Sequence, residues 1–237
     1  GGAAIFSGFY YTHLLEFYES IVPAVFGTLL IYYGLARHTF KKVEAIFSLA
    51  SGALQTQPPR FALAIQTMES AYVLSRRQIG IRSQVDAQIG VVYFLQKEFS
   101  KALPYLQRAL GFGHWMSSAM LAVIYYKKKK HEDMLKTLDI VTKRGKKDSL
   151  AWNLHAYLLC QVGKRDEAQT LLVRALKKSK DDPKIKEALL ALQNGKKIKM
   201  RAYSERWYQF HLERPPVQHQ QQMMPGKVGK AARRGRW

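Results

Sequence analysis

Seven histidines, one cysteine and several acidic pairs are the side chains with which this sequence could do chemistry. Histidines hold metals or move protons when two or three of them converge at short, regular spacing. His13, His38, His114, His131, His155, His211 and His219 are scattered without such spacing. His155 stands near Trp152 on a stretch of helix-packing residues, the setting of a structural histidine. Cys160 has no neighbouring basic motif to activate its thiol. A single cysteine also builds neither an internal disulfide nor a cysteine-based metal cluster. The glycines of GFGH (111–114) follow an expected helix, whereas those of a phosphate loop open one. Asp166 with Glu167, and Asp181 with Asp182, read as helix starts, where carboxylates complement the macrodipole. The expectation is therefore a protein that is not an enzyme, with no catalytic residue, metal or cofactor.

Basic side chains are more concentrated. Lys127, Lys128, Lys129 and Lys130 are consecutive, and Arg233, Arg234 and Arg236 stand beside Trp237. Such clusters attract anionic lipid, acidic protein or nucleic acid, since guanidinium pairs with phosphate and indole stacks. The net charge of +21 is unevenly spread: residues 1–36 carry −2, residues 37–214 carry +18 and residues 215–237 carry +5. The positive charge begins abruptly at Arg37, the asymmetry that a membrane boundary imposes.

From Ser20 to Ala36 runs SIVPAVFGTLLIYYGLA, 17 residues without a charge. As a helix this stretch spans about 25 Å, near the lower limit for crossing a hydrocarbon core of about 30 Å. Tyr32 and Tyr33 suit an interfacial belt, Arg37, Lys41 and Lys42 follow on one side, and Pro23 lies near the start. GGAAIFSGFYYTHLL (1–15) is also uncharged and reads as the tail of a first membrane helix, with Glu16 and Glu19 in a short loop before a second. The chain begins with glycine, so its start reads as processed or truncated. A cleaved signal peptide fits less well, because the apolar stretch at 20–36 would persist after cleavage. The competing expectation is a buried amphipathic hairpin in a soluble protein. Charge asymmetry favours the membrane.

Beyond Lys41 the pattern changes to repeating helix pairs. In residues 149–183, Trp152, Ala156, Leu159, Ala168, Leu172 and Ala175 follow at offsets of 4, 3, 9, 4 and 3. Small residues let antiparallel helices approach and large ones fill the gaps between them. This spacing resembles the tetratricopeptide repeat family. The same positions recur as Ala122, Tyr125, Met134, Leu138 and Val141, and before them as Gly90, Tyr93, Ala102, Leu106 and Ala109. A degenerate earlier unit offers Gly52, Ala64, Met68 and Ala71, with TQPP (56–59) as its turn. The expected fold class is all-α: a helical-hairpin solenoid of tetratricopeptide type, preceded by one or two N-terminal transmembrane helices. Its expected parts are a membrane anchor (1–40), a degenerate first repeat (41–82), a three-repeat core (83–182), C-terminal capping helices (183–216) and a basic tail (217–237). Lys127 to Lys130 then fall on the turn between the two helices of one repeat.

The resemblance implies that the first helix of each repeat lines a concave groove. That face selects Gln84, Ala87, Val91 and Phe94, then Met116, Ala119, Val123 and Tyr126, then Asn153 and Tyr157. It is largely apolar and aromatic, without the lysine and asparagine pattern by which some family members clamp a terminal carboxylate. An apolar partner helix would suit it. So would the chain's own MRAYSERWYQFHLERPP (200–216), expected as a helix with Tyr203, Trp207, Phe210 and Arg214 along one stripe.

The leading expectation is a membrane-anchored scaffold that binds protein subunits of a membrane assembly. It would contact the bilayer through residues 20–36, in a bacterial inner membrane with its repeats in the cytoplasm. Its basic patches would meet anionic lipid or nucleic acid. The alternative is a nucleic-acid or ribosome-associated adaptor, motivated by the charge. A third is a soluble adaptor whose first 36 residues pack as helices.

Overall fold

Local rules place most of the helices before any long-range contact is considered. Among the described residues of the computed structural model, 2–11, 17–76, 78–179 and 182–215, the chain is all-α, with eleven α-helices, two 3-10 helices and no strand. It divides into two compact units, Gly1–Val92 with Arg108–Gly113, and Tyr93–Gln107 with His114–Trp237.

In the first unit, α1 (Gly2–Tyr11) packs against α2 (Phe17–Gln55), a 39-residue helix. The approach is close: a Cβ at Gly27 would lie 2.7 Å from Ile5 Cδ1, so a larger residue there would have to push the end of the Ile5 side chain aside. At about 1.5 Å per residue α2 is nearly 60 Å long, far more than a bilayer core needs. Two expectations change here. The helix runs unbroken through residues 40 and 41, where the anchor was expected to end, because nothing from Arg37 to Gln55 interrupts helical hydrogen bonding. Pro23 and Glu19 lie inside α2 and not at its edge or in a loop. Residues 12–16, which include Glu16, lie outside the described residues.

The second half of α2 packs against α3 (Phe61–Ser70), as the degenerate repeat requires. Ala64, Met68 and Ala71 are buried as expected, but Gly52 is exposed. The buried positions on this part of α2 are Thr39, Val43 and Ala50, one and then two turns apart. The connecting turn is closed by Thr56, whose Oγ1 lies within reach of the carbonyls of Ala53 (2.8 Å) and Pro58 (2.9 Å) and shares its one hydrogen between them. A 3-10 helix (Ala71–Arg76) leads on to α4 (Ile81–Leu95). Asp86 of α4, 1% exposed, accepts from Tyr72 Oη (2.7 Å) and from Arg108 Nε and Nη2 (3.2 and 2.9 Å). A buried carboxylate is tolerated because each of these donors compensates its lost hydration.

The second unit contains α5 (Phe99–Arg108) up to Gln107, then α6 (Trp115–Lys127), α7 (His131–Arg144), α8 (Ser149–Gln161), α9 (Arg165–Lys178) and α10 (Pro183–Gln193). The helices pair as α6 with α7 and α8 with α9, and α10 packs on both α8 and α9. The small and large positions of the expected repeats are buried here: Ala122, Met134, Leu138, Ala156, Ala168, Leu172 and Ala175 have no exposed surface.

The repeat is also written in its helix ends. His114, Asp148 and Asp182, each 34 residues apart, cap α6, α8 and α10 by accepting from the amide two residues on. Glu132 and Asp133 begin α7, and Asp166 and Glu167 begin α9 at the same 34-residue interval. Lys143 and Arg144, then Lys177 and Lys178, end those helices, matching both macrodipoles.

Four first helices end in one turn. Lys97, Lys129, Gly163 and Gly195 all have left-handed backbones, with φ of 65°, 56°, 82° and 73°. Each amide bonds the carbonyl three residues back, and the next amide bonds the carbonyl five residues back. This is the Schellman closure, in which the left-handed residue satisfies orphaned helix carbonyls. Lysine occupies two of those positions against its own preference, which is for right-handed backbone.

Candidate partner-binding groove

The expected groove residues fall in both units. Gln84, Ala87 and Val91 lie on α4 in the first, with Ala87 buried and the other two partly exposed. Phe94, Met116, Ala119, Val123, Tyr126, Asn153 and Tyr157 lie in the second. There the face is already filled, by the chain's own residues 200–213.

That filling segment is not the single helix expected over 200–216. A 3-10 helix (Met200–Tyr203) stops at Ser204, α11 (Glu205–Tyr208) makes one turn, and bends follow to Arg214. Ser204 and His211 have positive φ, 49° and 53°, so the chain reverses direction at both. A straight helix would bury one stripe. The two reversals bury Tyr203, Trp207, Tyr208 and Phe210, which one stripe could not hold, and leave Arg214 exposed.

Each contact ties this strap to a residue of the expected groove. Asn153 Nδ2 donates to Tyr203 Oη at 2.9 Å. The rings of Tyr157 and Trp207 meet edge to face, with centroids 4.9 Å apart. Glu213 clamps both: Oε1 accepts from Tyr157 Oη at 3.4 Å and Oε2 from Trp207 Nε1 at 3.1 Å. Gln209 Nε2 reaches Met116 Sδ at 3.7 Å, and the His211 ring stacks on Phe94 at 5.6 Å. Ala119 and Val123 share a face of α6 with Met116 and have no exposed surface. Burial pushes the hydroxyls of Tyr157 and Tyr203 up to about 12 and lowers His211, so all three sit neutral at physiological pH.

Lys127, exposed like the three lysines that follow it, also contacts the strap. Its Nζ donates to the His211 carbonyl at 2.9 Å and stands 5.3 Å from the centroid of the Phe99 ring. Burial and then the nearby Lys97 charge lower it from the usual lysine value. Lys128, Lys129 and Lys130 remain exposed on the turn. Arg233, Arg234 and Arg236, with all of residues 216–237, lie outside the described residues.

Sequence reasoning found Tyr203, Trp207 and Phe210 of the strap and passed over Tyr208; it also missed Gln209, His211 and Glu213, and the role of Lys127. No local spacing marks them, because each acts across 56 to 93 residues of chain, as Glu213 does on Tyr157 and Gln209 on Met116. His155 is 5% exposed, and burial followed by the Arg174 charge lowers it to about 4. Burial raises the Cys160 thiol, away from the thiolate that a nucleophile requires.

The other exposed feature is in α2. Ile21, Val22, Val25, Phe26, Leu29, Leu30, Ile31, Tyr32, Tyr33 and Leu35 are between 45% and 69% exposed. Among the described residues this is one helix long and apolar enough to cross a membrane.

The chain matches no family model and no curated protein sequence. Among solved structures it overlaps one described as "MamA RS-1 ArsTM double mutant", at 12% identity and a TM-score of 0.47, covering 78% of this chain and 97% of that one. A likeness of that degree carries no inference about partners or activity. The fold stands on the helix pairs, caps and turns described above.

Proposed function

We propose that this protein is a membrane-anchored helical-repeat scaffold that binds protein partners and helps to organise a membrane protein complex. Its repeats lie on the cytoplasmic side of a bacterial inner membrane. The observation that carries the reading is the run of exposed large apolar side chains on α2 between Ile21 and Leu35, outside the face that α1 covers at Ala24, just before the charge turns positive. A helix apolar all round is stable only when buried in protein or in lipid. Arg37, Lys41 and Lys42 orient it by the positive-inside rule. Stacked repeats with an apolar groove support protein recognition, and the strap shows which chemistry fills that groove: aromatic rings, with one carboxylate at their edge. A partner segment of that chemistry would enter by exchange with residues 200–213.

The test has two steps on the full chain in native membranes. The protein should stay with the membranes through a carbonate wash, while Leu29→Lys, at a cost of about 3 kcal/mol in the bilayer centre, should weaken retention. Recovery of the unmodified chain in the soluble fraction would reject the anchor. Photoreactive residues at Tyr126 and Tyr157 should then crosslink a subunit of another protein. Adducts confined to residues 200–215 would reject the groove as a partner site.

A further inference from the structure

Four lysines gather over one concavity of the second unit, at the edge of the groove face just described, with which it shares Asn153 and Tyr203. Lys184 of α10 and Lys196, Lys197 and Lys199 of the segment after it line this pocket, with Glu187 as its acidic side chain. None of the four is ion-paired to a described residue. Four ammonium groups around one concavity favour an anion there. Lys184 Nζ stands 4.7 Å from the centroid of the Tyr203 ring, on a side chain that stays exposed.

The pocket also has a polar floor. Asn153 and Tyr203 line it and are 2% and 6% exposed. Asn153 Nδ2 donates to the Lys184 carbonyl at 3.1 Å as well as to Tyr203 Oη. A carbonyl only accepts, so this bond settles which end of the amide is nitrogen. The other end, Oδ1, is buried without a hydrogen-bond partner in the protein. Buried amide oxygens are rarely left so, and this one calls for a donor.

We propose that this pocket binds a phosphate ester carrying a free hydroxyl. The ammonium groups take the phosphate oxygens, and the hydroxyl donates to Asn153 Oδ1. Two sources share that chemistry: a soluble polyol phosphate, and the headgroup of a glycerol-bearing phospholipid. Lysine suits a phosphate approached from several sides, since each ammonium is a compact charge with three donors.

The experiment measures thermal unfolding of the full chain in detergent with rising glycerol 3-phosphate, against potassium chloride of equal ionic strength. It is repeated in nanodiscs of phosphatidylcholine with and without phosphatidylglycerol. A saturable rise in Tm is expected in one arm or both. A response to glycerol 3-phosphate assigns the soluble source, and a response confined to phosphatidylglycerol assigns the headgroup. Lys196→Gln, Lys197→Gln and Lys199→Gln together should weaken it at least tenfold. Lys128→Gln, Lys129→Gln and Lys130→Gln remove the same charge elsewhere and should leave it unchanged. Tyr203→Phe keeps the ring under Lys184 and should weaken binding severalfold. Equal loss in both triple variants, an equal response to inorganic sulfate or to an oligonucleotide, or no saturable response in either arm would overturn the proposal.

Discussion

Two helices of this protein are almost equally apolar and meet opposite fates. In α6, the run from Ala119 to Ile124 has no exposed surface, because α7 and α8 pack against it. In α2, the run from Ile21 to Leu35 has Ala24 buried, while its large side chains stand open. Composition does not separate the two. What separates them is their neighbours: α6 lies among partners supplied every 34 residues, and the first half of α2 has α1 beside it. Apolarity therefore states that a helix must be covered and leaves the cover to be found elsewhere, in protein for α6 and, by our reading, in lipid for α2.

The largest effect that would test this contrast comes from removing one aromatic side chain in each setting. Trp207→Ala should cost about 3–5 kcal/mol in urea unfolding of the full chain in mild detergent, because it empties a fully buried site and unseats Glu213. Phe26→Ala, at an exposed position, should cost less than about 0.5 kcal/mol under the same conditions. If the two costs were alike, α2 would be packed as protein is, and the contrast would fail.

Acid offers a second, somewhat smaller effect confined to the packed region. His155 is held neutral in the fold by burial, near a pKa of about 4, while in the unfolded chain it titrates near 6.5. Below about pH 6.5 the unfolded state takes up a proton that the fold refuses, so stability falls until about pH 4. The loss sums to about 3 kcal/mol. His211, also lowered by burial, acts in the same direction. Unfolding midpoints measured between pH 7 and pH 4 should show this slope, and His155→Leu should flatten most of it. An unchanged slope in that variant would remove His155 as its source.

The smallest effect sharpens the account of the lysine run. Lys129 holds a left-handed turn residue where the equivalent positions Gly163 and Gly195 carry glycine. Lys129→Gly should stabilise the chain by about 1 kcal/mol by relieving that strain. A loss of stability would mean that the Lys129 side chain makes contacts worth more than its backbone costs.

The helix pairs could be read from the sequence because their causes are local. Ala156 and Ala168 are small where helices cross, Asp148 and Asp182 cap the helices they precede, and Gly163 turns one helix into the next. Each of these needs a few neighbours along the chain, and the repeat writes them more than once. The first repeat was harder to place, since its first helix is part of α2, and a template anchored on Gly52 picks an exposed residue in place of Ala50.

The sequence by itself thus determined an all-α chain of helical hairpins, an apolar N-terminal helix and a basic remainder, through period, cap and charge. Only the tertiary structure decided what fills the groove. Lys127 meets His211 across 84 residues and Gln209 meets Met116 across 93, and no periodicity couples positions so far apart. The strap's path depends on two left-handed residues, Ser204 and His211, of types that the sequence gives no reason to place there. Their backbone strain is sustained by the burial of Trp207 and Phe210, which exists only once the groove has formed.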